Sequence, residues 1–165
     1  MVLERDNVHA HTPPTGQAGR TRLDLSMPPD SGQVPGARRA VQHVCREAGF
    51  SEDDCAALDL ALGEALANAV VHGASATVCS KPVTDVHVSV WDFQAQLIVE
   101  VRDGGCGFAP PQPPYAMPSP DVNATHGRGL PLMELLTDAL MVCQGDADEG
   151  GSSIFLIKTR TTPDE

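Results

Sequence analysis

Aromatic residues are scarce in this chain. Phe, Tyr and Trp supply only 4% of 165 residues, so a core has to come mainly from Ala, Val, Leu and Ile. The hydrophobic content of 41% still suits one globular domain of this length. Basic residues are few as well. Eleven Lys and Arg stand against 22 Asp and Glu, for a net charge of −11 and a pI near 4.8. That balance lacks the basic footprint of a nucleic-acid binder. No apolar run reaches the length of a membrane span. The N-terminus lacks the apolar region of a secretory signal, so no membrane partner and a cytoplasmic location are expected. The five cysteines, Cys45, Cys55, Cys79, Cys106 and Cys143, are scattered and show no zinc-site spacing. Reduced thiols are the expectation. A Walker-type glycine–lysine loop is missing, which excludes a P-loop.

What is present centres on residues Leu58 to Gly73, a run of small and apolar residues that reads as a helix. Leu58, Leu62, Leu66 and Ala69 recur at helical spacing and predict a core face. Glu64 and Asn68 are four apart and project together from another face. Polar side chains within so apolar a helix are costly without partners, protein or ligand.

The other elements follow in order. Residues 1–19 mix Pro, Gly, Thr, Gln and His without periodicity and predict a disordered leader, with the folded domain at 20–160. Arg20 to Met27 alternates and predicts a strand, which Pro28 and Pro29 end. A helix starts near Ser31 with Pro35 in its first turn and an apolar stripe of Ala37, Ala40, Val41, Val44, Cys45 and Ala48. Gly49 suits its C-terminal cap. His43 beside that stripe reads as an ordinary surface histidine. Ser51 to Asp54 resembles a capping box for the central helix. Residues 74–84 are a connection. Asp85–Asp92 and Gln96–Asp103 alternate strictly and predict an antiparallel hairpin. Six prolines between Ala109 and His126 predict a long loop in the position of a lid. Residues 127–137 predict a helix with Leu132, Leu135 and Leu136 as its apolar side. Ala139–Gln144 and Ser152–Thr159 are strands about an acidic turn. Hairpins alternating with helices imply an α+β fold, a mostly antiparallel sheet with helices on one face.

Three segments can carry chemistry. The amide oxygen of Asn68 is a hard ligand suited to Mg²⁺, which takes few protein ligands and completes its shell with phosphates and water. Glu64, one turn away, can orient or deprotonate an attacking hydroxyl. Together they suit phosphoryl transfer, which rests on positioning and charge neutralisation. A Glu–Asn pair satisfied by the backbone is the plain alternative. Asp103, at a strand end, accepts hydrogen bonds and suits an exocyclic amine, while Gly105 and Gly107 let backbone approach a flat base. A simple Asp-Gly turn would look the same. Gly127-Arg128-Gly129 before a helix offers N–H groups and a positive helix end to an anion. A glycine-rich helix entry with a solvated Arg is its ordinary counterpart.

Order and spacing together are more specific. Glu64-x-x-x-Asn68 with Val70-Val71-His72-Gly73, then Asp103-x-Gly105-x-Gly107-Phe108, then Gly127-Arg128-Gly129-Leu130, resembles the GHKL ATPases. Within that superfamily the chain is similar to the small anti-sigma factor serine/threonine kinases of the RsbW and SpoIIAB kind, over roughly Thr21 to Thr159. The resemblance implies a two-layer α/β sandwich of the Bergerat type with a mixed, mostly antiparallel sheet. It implies ATP and Mg²⁺ as cofactors, with Mg²⁺ on Asn68 and Glu64 as the catalytic base. Asp103 would hold the adenine amino group, with Gly105 and Gly107 beside the base. Gly127, Arg128, Gly129 and Leu130 would serve the lid and phosphates. Ser152, after Gly151, would offer a hydroxyl near adenine, where the family often has Gly-Thr. The implied partners are an anti-anti-sigma factor as substrate and a sigma factor, with a homodimer as one allowed assembly. Alternatives within the same site are a nucleotide-gated binding module without transfer and a switch kinase of the RsbT kind.

Overall fold

The computed structural model describes residues 19–73, 84–105, 128–144 and 150–161. Most of the expected leader, all but the last residue of the 74–84 connection, the proline-rich lid, Gly107, Gly127 and most of the acidic turn lie outside the described residues. Within them the chain runs β1 (Arg20–Met27), α1 (Val34–Glu47), α2 (Glu52–Gly73), β2 (Val86–Asp92), β3 (Gln96–Asp103), α3 (Gly129–Leu136), β4 (Ala139–Gln144) and β5 (Ser152–Thr159). The five strands form one sheet in the order β1-β2-β3-β5-β4. All four ladders are antiparallel. The expected α+β sandwich is the observed architecture.

Alternation along the strands decides which way the sheet faces. In the β2–β3 hairpin Val88 pairs with Val101 and Val90 with Val99. These valines, with Val86, Leu97, Ile154 and Leu156, are buried against Val41 and Val44 of α1, Leu58, Leu62 and Leu66 of α2, and Met133 of α3. All three helices therefore cover the same side. α1 packs on β1, α2 across β3 and β5, and α3 beside β4 and against α2.

Burial holds α2 more than its cap does. Ser51 Oγ accepts from the Asp54 N–H at 3.1 Å and donates to Asp54 Oδ2 at 2.8 Å. The capping residue is as expected, but the acid binds the Ser hydroxyl, a variant of the reciprocal box. Such a cap is worth about 1 kcal/mol. Leu58, Leu62 and Leu66 are each at most 1% exposed, and burying a leucine contributes roughly 1.5–3 kcal/mol. The leucines outweigh the cap severalfold. Ahead of them, α1 ends as expected at Gly49, whose φ of +79° suits a residue without Cβ.

One expectation about side chains changes. In α3 the buried residues are Pro131 and Met133, and Leu135 is 76% exposed. A helix of eight residues shows the core barely two turns, so α2 and the sheet select the face. The sheet's other side is not simply polar. Trp91, Ile98 and Ile157 lie on adjoining strands and bury one another there, with Phe93 and Phe155 packed around them. Trp91, Phe93 and Phe155 thus shield the side without helices, while Phe50 joins the core on the helix side.

Candidate functional site

The apolar composition of α2 leaves Glu64 and Asn68 as polar breaks on the flank that meets α3. Both are half-buried. At Gly129, the first residue of α3, a Cβ would stand 3.2 Å from Asn68 Nδ2 and 3.4 Å from Glu64 Oε2. The start of α3 thus rests on the two polar side chains of α2, and a residue lacking Cβ makes that approach comfortable. Arg128 precedes it as N-cap, exposed and in the αR region, with its carbonyl accepting from the Leu132 N–H at 3.0 Å. Leu130 is half-buried against the core.

A second set gathers where β3 ends and β5 begins. Asp103 pairs with Ser152 in the ladder, on the helix-facing side, and the two are 8% and 4% exposed. Asp103 Oδ1 accepts from the Gly105 N–H at 2.9 Å. The carboxylate therefore does close a turn, as the ordinary Asp-Gly reading requires, and Gly105 is buried beside it. Gly151 has φ +83°, and a Cβ there would overlap the Asp103 carbonyl. A Cβ at Gly104 would overlap the Thr84 side chain.

The structure thus joins Glu64, Asn68 and Gly129 in one group and Asp103, Gly105 and Ser152 in another. α2 connects the two by packing across β3 and β5. Sequence reasoning passed over Gly104, Gly151 as a packing residue, and Thr84. The Gly150-Gly151 pair was a signal for the second of these, and Thr84 had none.

The opposite flank of α2 is occupied by α1. Arg38 holds Asp59 through both guanidinium and carboxylate arms, with Nε to Oδ1 at 2.9 Å, and lies 3.5 Å from where a Cβ on Gly63 would be. The hydrogen bond to Asp59 raises the Arg38 pKa against the opposing effect of burial. A shallow depression of about 180 Å³ opens there, lined by Pro35, Arg38, Arg39, Gln42 and Asp59. This hollow lies on the α1 side, away from Glu64 and Asn68. His43 on α1 is 73% exposed and lies 3.4 Å from Glu47, the surface role expected of it.

Among the described residues no cluster of three or more His, Cys, Asp or Glu side chains is arranged to hold a metal. Asn68 is an amide, outside that set. Its amide oxygen suits a cation that takes one protein oxygen and the rest of its shell from phosphates and water, and the neighbouring helix start favours those phosphates rather than the cation. No helix among the described residues is long and apolar enough to cross a membrane.

The histidine kinase-like ATPase domain matches residues 27–158 of this chain. Comparison with curated proteins finds no match. Among solved structures, the chain is similar to the RsbU and RsbW domains of Rv1364c from Mycobacterium tuberculosis, with a TM-score of 0.59 and 19% identity. That match covers 86% of this chain and 33% of the other, so this chain spans about a third of that protein's length. It is also similar to the SiaB-SiaC complex from Pseudomonas aeruginosa, with a TM-score of 0.59 and 9% identity, over 84% of this chain and 90% of the other. At these identities the likeness is one of fold.

Proposed function

The chain belongs to the histidine kinase-like ATPase family, and from that premise we propose that it is an ATP-dependent serine/threonine protein kinase acting as an anti-sigma factor. In this reading residues 20–160 are one nucleotide-binding domain. The hydroxyl acceptor sits on an anti-anti-sigma partner, and a sigma factor is the protein held. The reading is supported above all by one contact, Gly129 at the start of α3 against both Glu64 and Asn68 of α2. The contact joins a carboxylate, an amide and a helix N-terminus, the three kinds of group a phosphate chain and its nucleophile require.

Each residue then has a task. Asn68 offers its amide oxygen to Mg²⁺, and that cation neutralises phosphate charge when bound. Glu64 would hold the acceptor hydroxyl by a hydrogen bond and take its proton as the oxygen attacks the γ-phosphorus, while the bond from that phosphorus to the bridging oxygen breaks and ADP leaves with its electron pair. Arg128, Gly129 and the first N–H groups of α3, with Gly127 and Leu130, receive phosphate oxygens. At the other end Asp103 accepts from the adenine amine, Ser152 offers its hydroxyl, and Gly105 and Gly107 leave room for the flat base. The fold shared with an RsbW domain and with a protein solved in complex with a partner, SiaB with SiaC, supports a protein as acceptor.

The test uses labelled ATP and the proteins that the full chain retains from its native extract, with phosphosite mapping. Wild type is expected to transfer phosphate to a serine or threonine. Glu64→Ala is expected to lose about 100-fold or more of that rate while keeping its affinity for ATP. A wild type that binds ATP and transfers nothing would leave only the nucleotide-gated binding module.

A further inference from the structure

The end of α1 and the start of α2 meet at two thiols. Cys45, in the last turn of α1, is 1% exposed, and Cys55, in the first turn of α2, is 2% exposed. Cys55 Sγ lies 2.6 Å from Cys45 Sγ. The turn through Gly49 brings the helix ends together and sets the two sulfurs against each other. Neither thiol has a part in the nucleotide site. Two sulfurs fall short of a metal cluster, and no third ligand joins them among the described residues. As mere core filler they would be interchangeable with any small apolar pair, which would not require two sulfurs in mutual contact. We propose that Cys45 and Cys55 are a dithiol–disulfide pair, which a small-molecule disulfide of the glutathione type converts into a covalent staple between α1 and α2.

The chemistry balances by exchange. One protein thiol gives up its proton, and its thiolate attacks a sulfur of the small disulfide. That bond breaks, and one small thiol leaves with a proton. The second protein thiol, deprotonated in turn, attacks the protein sulfur of the mixed disulfide. The Cys45–Cys55 bond forms, and the second small thiol leaves with the second proton. Two electrons pass from the protein pair to the small disulfide.

Access sets the rate. Burial first, then the hydrogen bond from Cys55, raises the Cys45 thiol well above its ordinary value. The reactive thiolate is therefore rare in the closed state, and exchange waits on a local parting of α1 from α2. The staple forms slowly and, once formed, is shielded from reductant. It closes a short loop and so restricts the unfolded chain. Glu64 and Asn68 lie more than two turns farther along α2, on a different face, and the staple leaves them where they are.

The experiment incubates the folded full chain with oxidised glutathione, traps free thiols by alkylation and maps the peptides. A linked Cys45–Cys55 peptide is expected, with the mass of two hydrogens lost. The oxidised protein should melt about 5–10 °C higher than after dithiothreitol, with ATP affinity unchanged. Cys45→Ser and Cys55→Ser should each abolish the link and the shift. Free alkylated Cys45 and Cys55 in oxidised wild type would overturn the proposal, as would a link that forms only in denaturant. The alkylation map of wild type stands even if a serine variant fails to fold.

Discussion

Asn68 faces Gly129 across the α2–α3 boundary so closely that a Cβ on Gly129 would stand 3.2 Å from Asn68 Nδ2. The contact couples a polar break in an apolar helix to the entry of a second helix. What perturbs one should be felt at the other.

Gly129→Ala separates site from stability. Alanine is the better helix former by up to about 1 kcal/mol in a helix interior; at this first position the gain is smaller and the crowding opposes it, so thermal stability should change little. The new methyl presses on Asn68 and Glu64, and ATP affinity should fall several-fold. Calorimetric titration beside a melting curve checks both. Unchanged affinity would mean that the contact has no bearing on nucleotide.

Asn68→Ala should remove the response to Mg²⁺. Wild-type ATP affinity is expected to rise when Mg²⁺ is added, and the variant's to stay flat. If wild type binds ATP equally with and without Mg²⁺, the metal role of Asn68 is wrong.

Asp103→Asn tests the base end. The carboxylate already receives the Gly105 N–H on Oδ1, so an adenine amine needs a further acceptor. Asparagine has one oxygen and presents an NH₂ in place of the other. ATP affinity should drop about 10–100-fold, the worth of a hydrogen bond to a charged group. Equal affinities for the two proteins would return Asp103 to a turn-forming role alone.

Asp54 carries a pH signature. Burial works to raise its carboxyl, but hydrogen bonds from Ser51, Thr161 and Lys158 and the Lys158 charge, 3.4 Å away, outweigh burial and hold it below its ordinary value. A folded-state value below the unfolded one stabilises above the unfolded pKa, about 3.9. That contribution is lost as pH falls through the folded value. Asp54→Asn should therefore be the less stable protein in urea at neutral pH, and the gap should shrink in acid. A gap that is constant with pH would assign the loss to packing rather than charge.

Much of the fold was legible because β2, β3 and the buried face of α2 repeat their apolar residues at the period of one secondary structure. Val86, Val88 and Val90 alternate, and Leu58, Leu62 and Leu66 fall on one helical face. The start of α2 was legible in Ser51, a local capping signal. Periodicity was weakest in α3, where several apolar residues compete over eight positions. Packing against α2 and the sheet chose Met133 over Leu135. The pairing of Ile98 with Ile157 was hidden for another reason. It depends on strand order, which no single strand encodes.

The sequence by itself determined the elements, their antiparallel hairpins and the pairing of Glu64 with Asn68 on one helical face, because each follows from contacts near in the chain. Tertiary structure alone decided that Gly129 meets that pair, that Gly151 packs on Asp103, and that Cys45 faces Cys55. Those meetings depend on how α2 seats against the sheet and its neighbouring helices. That seating is set by the fit of many buried side chains at once, which no local repeat records.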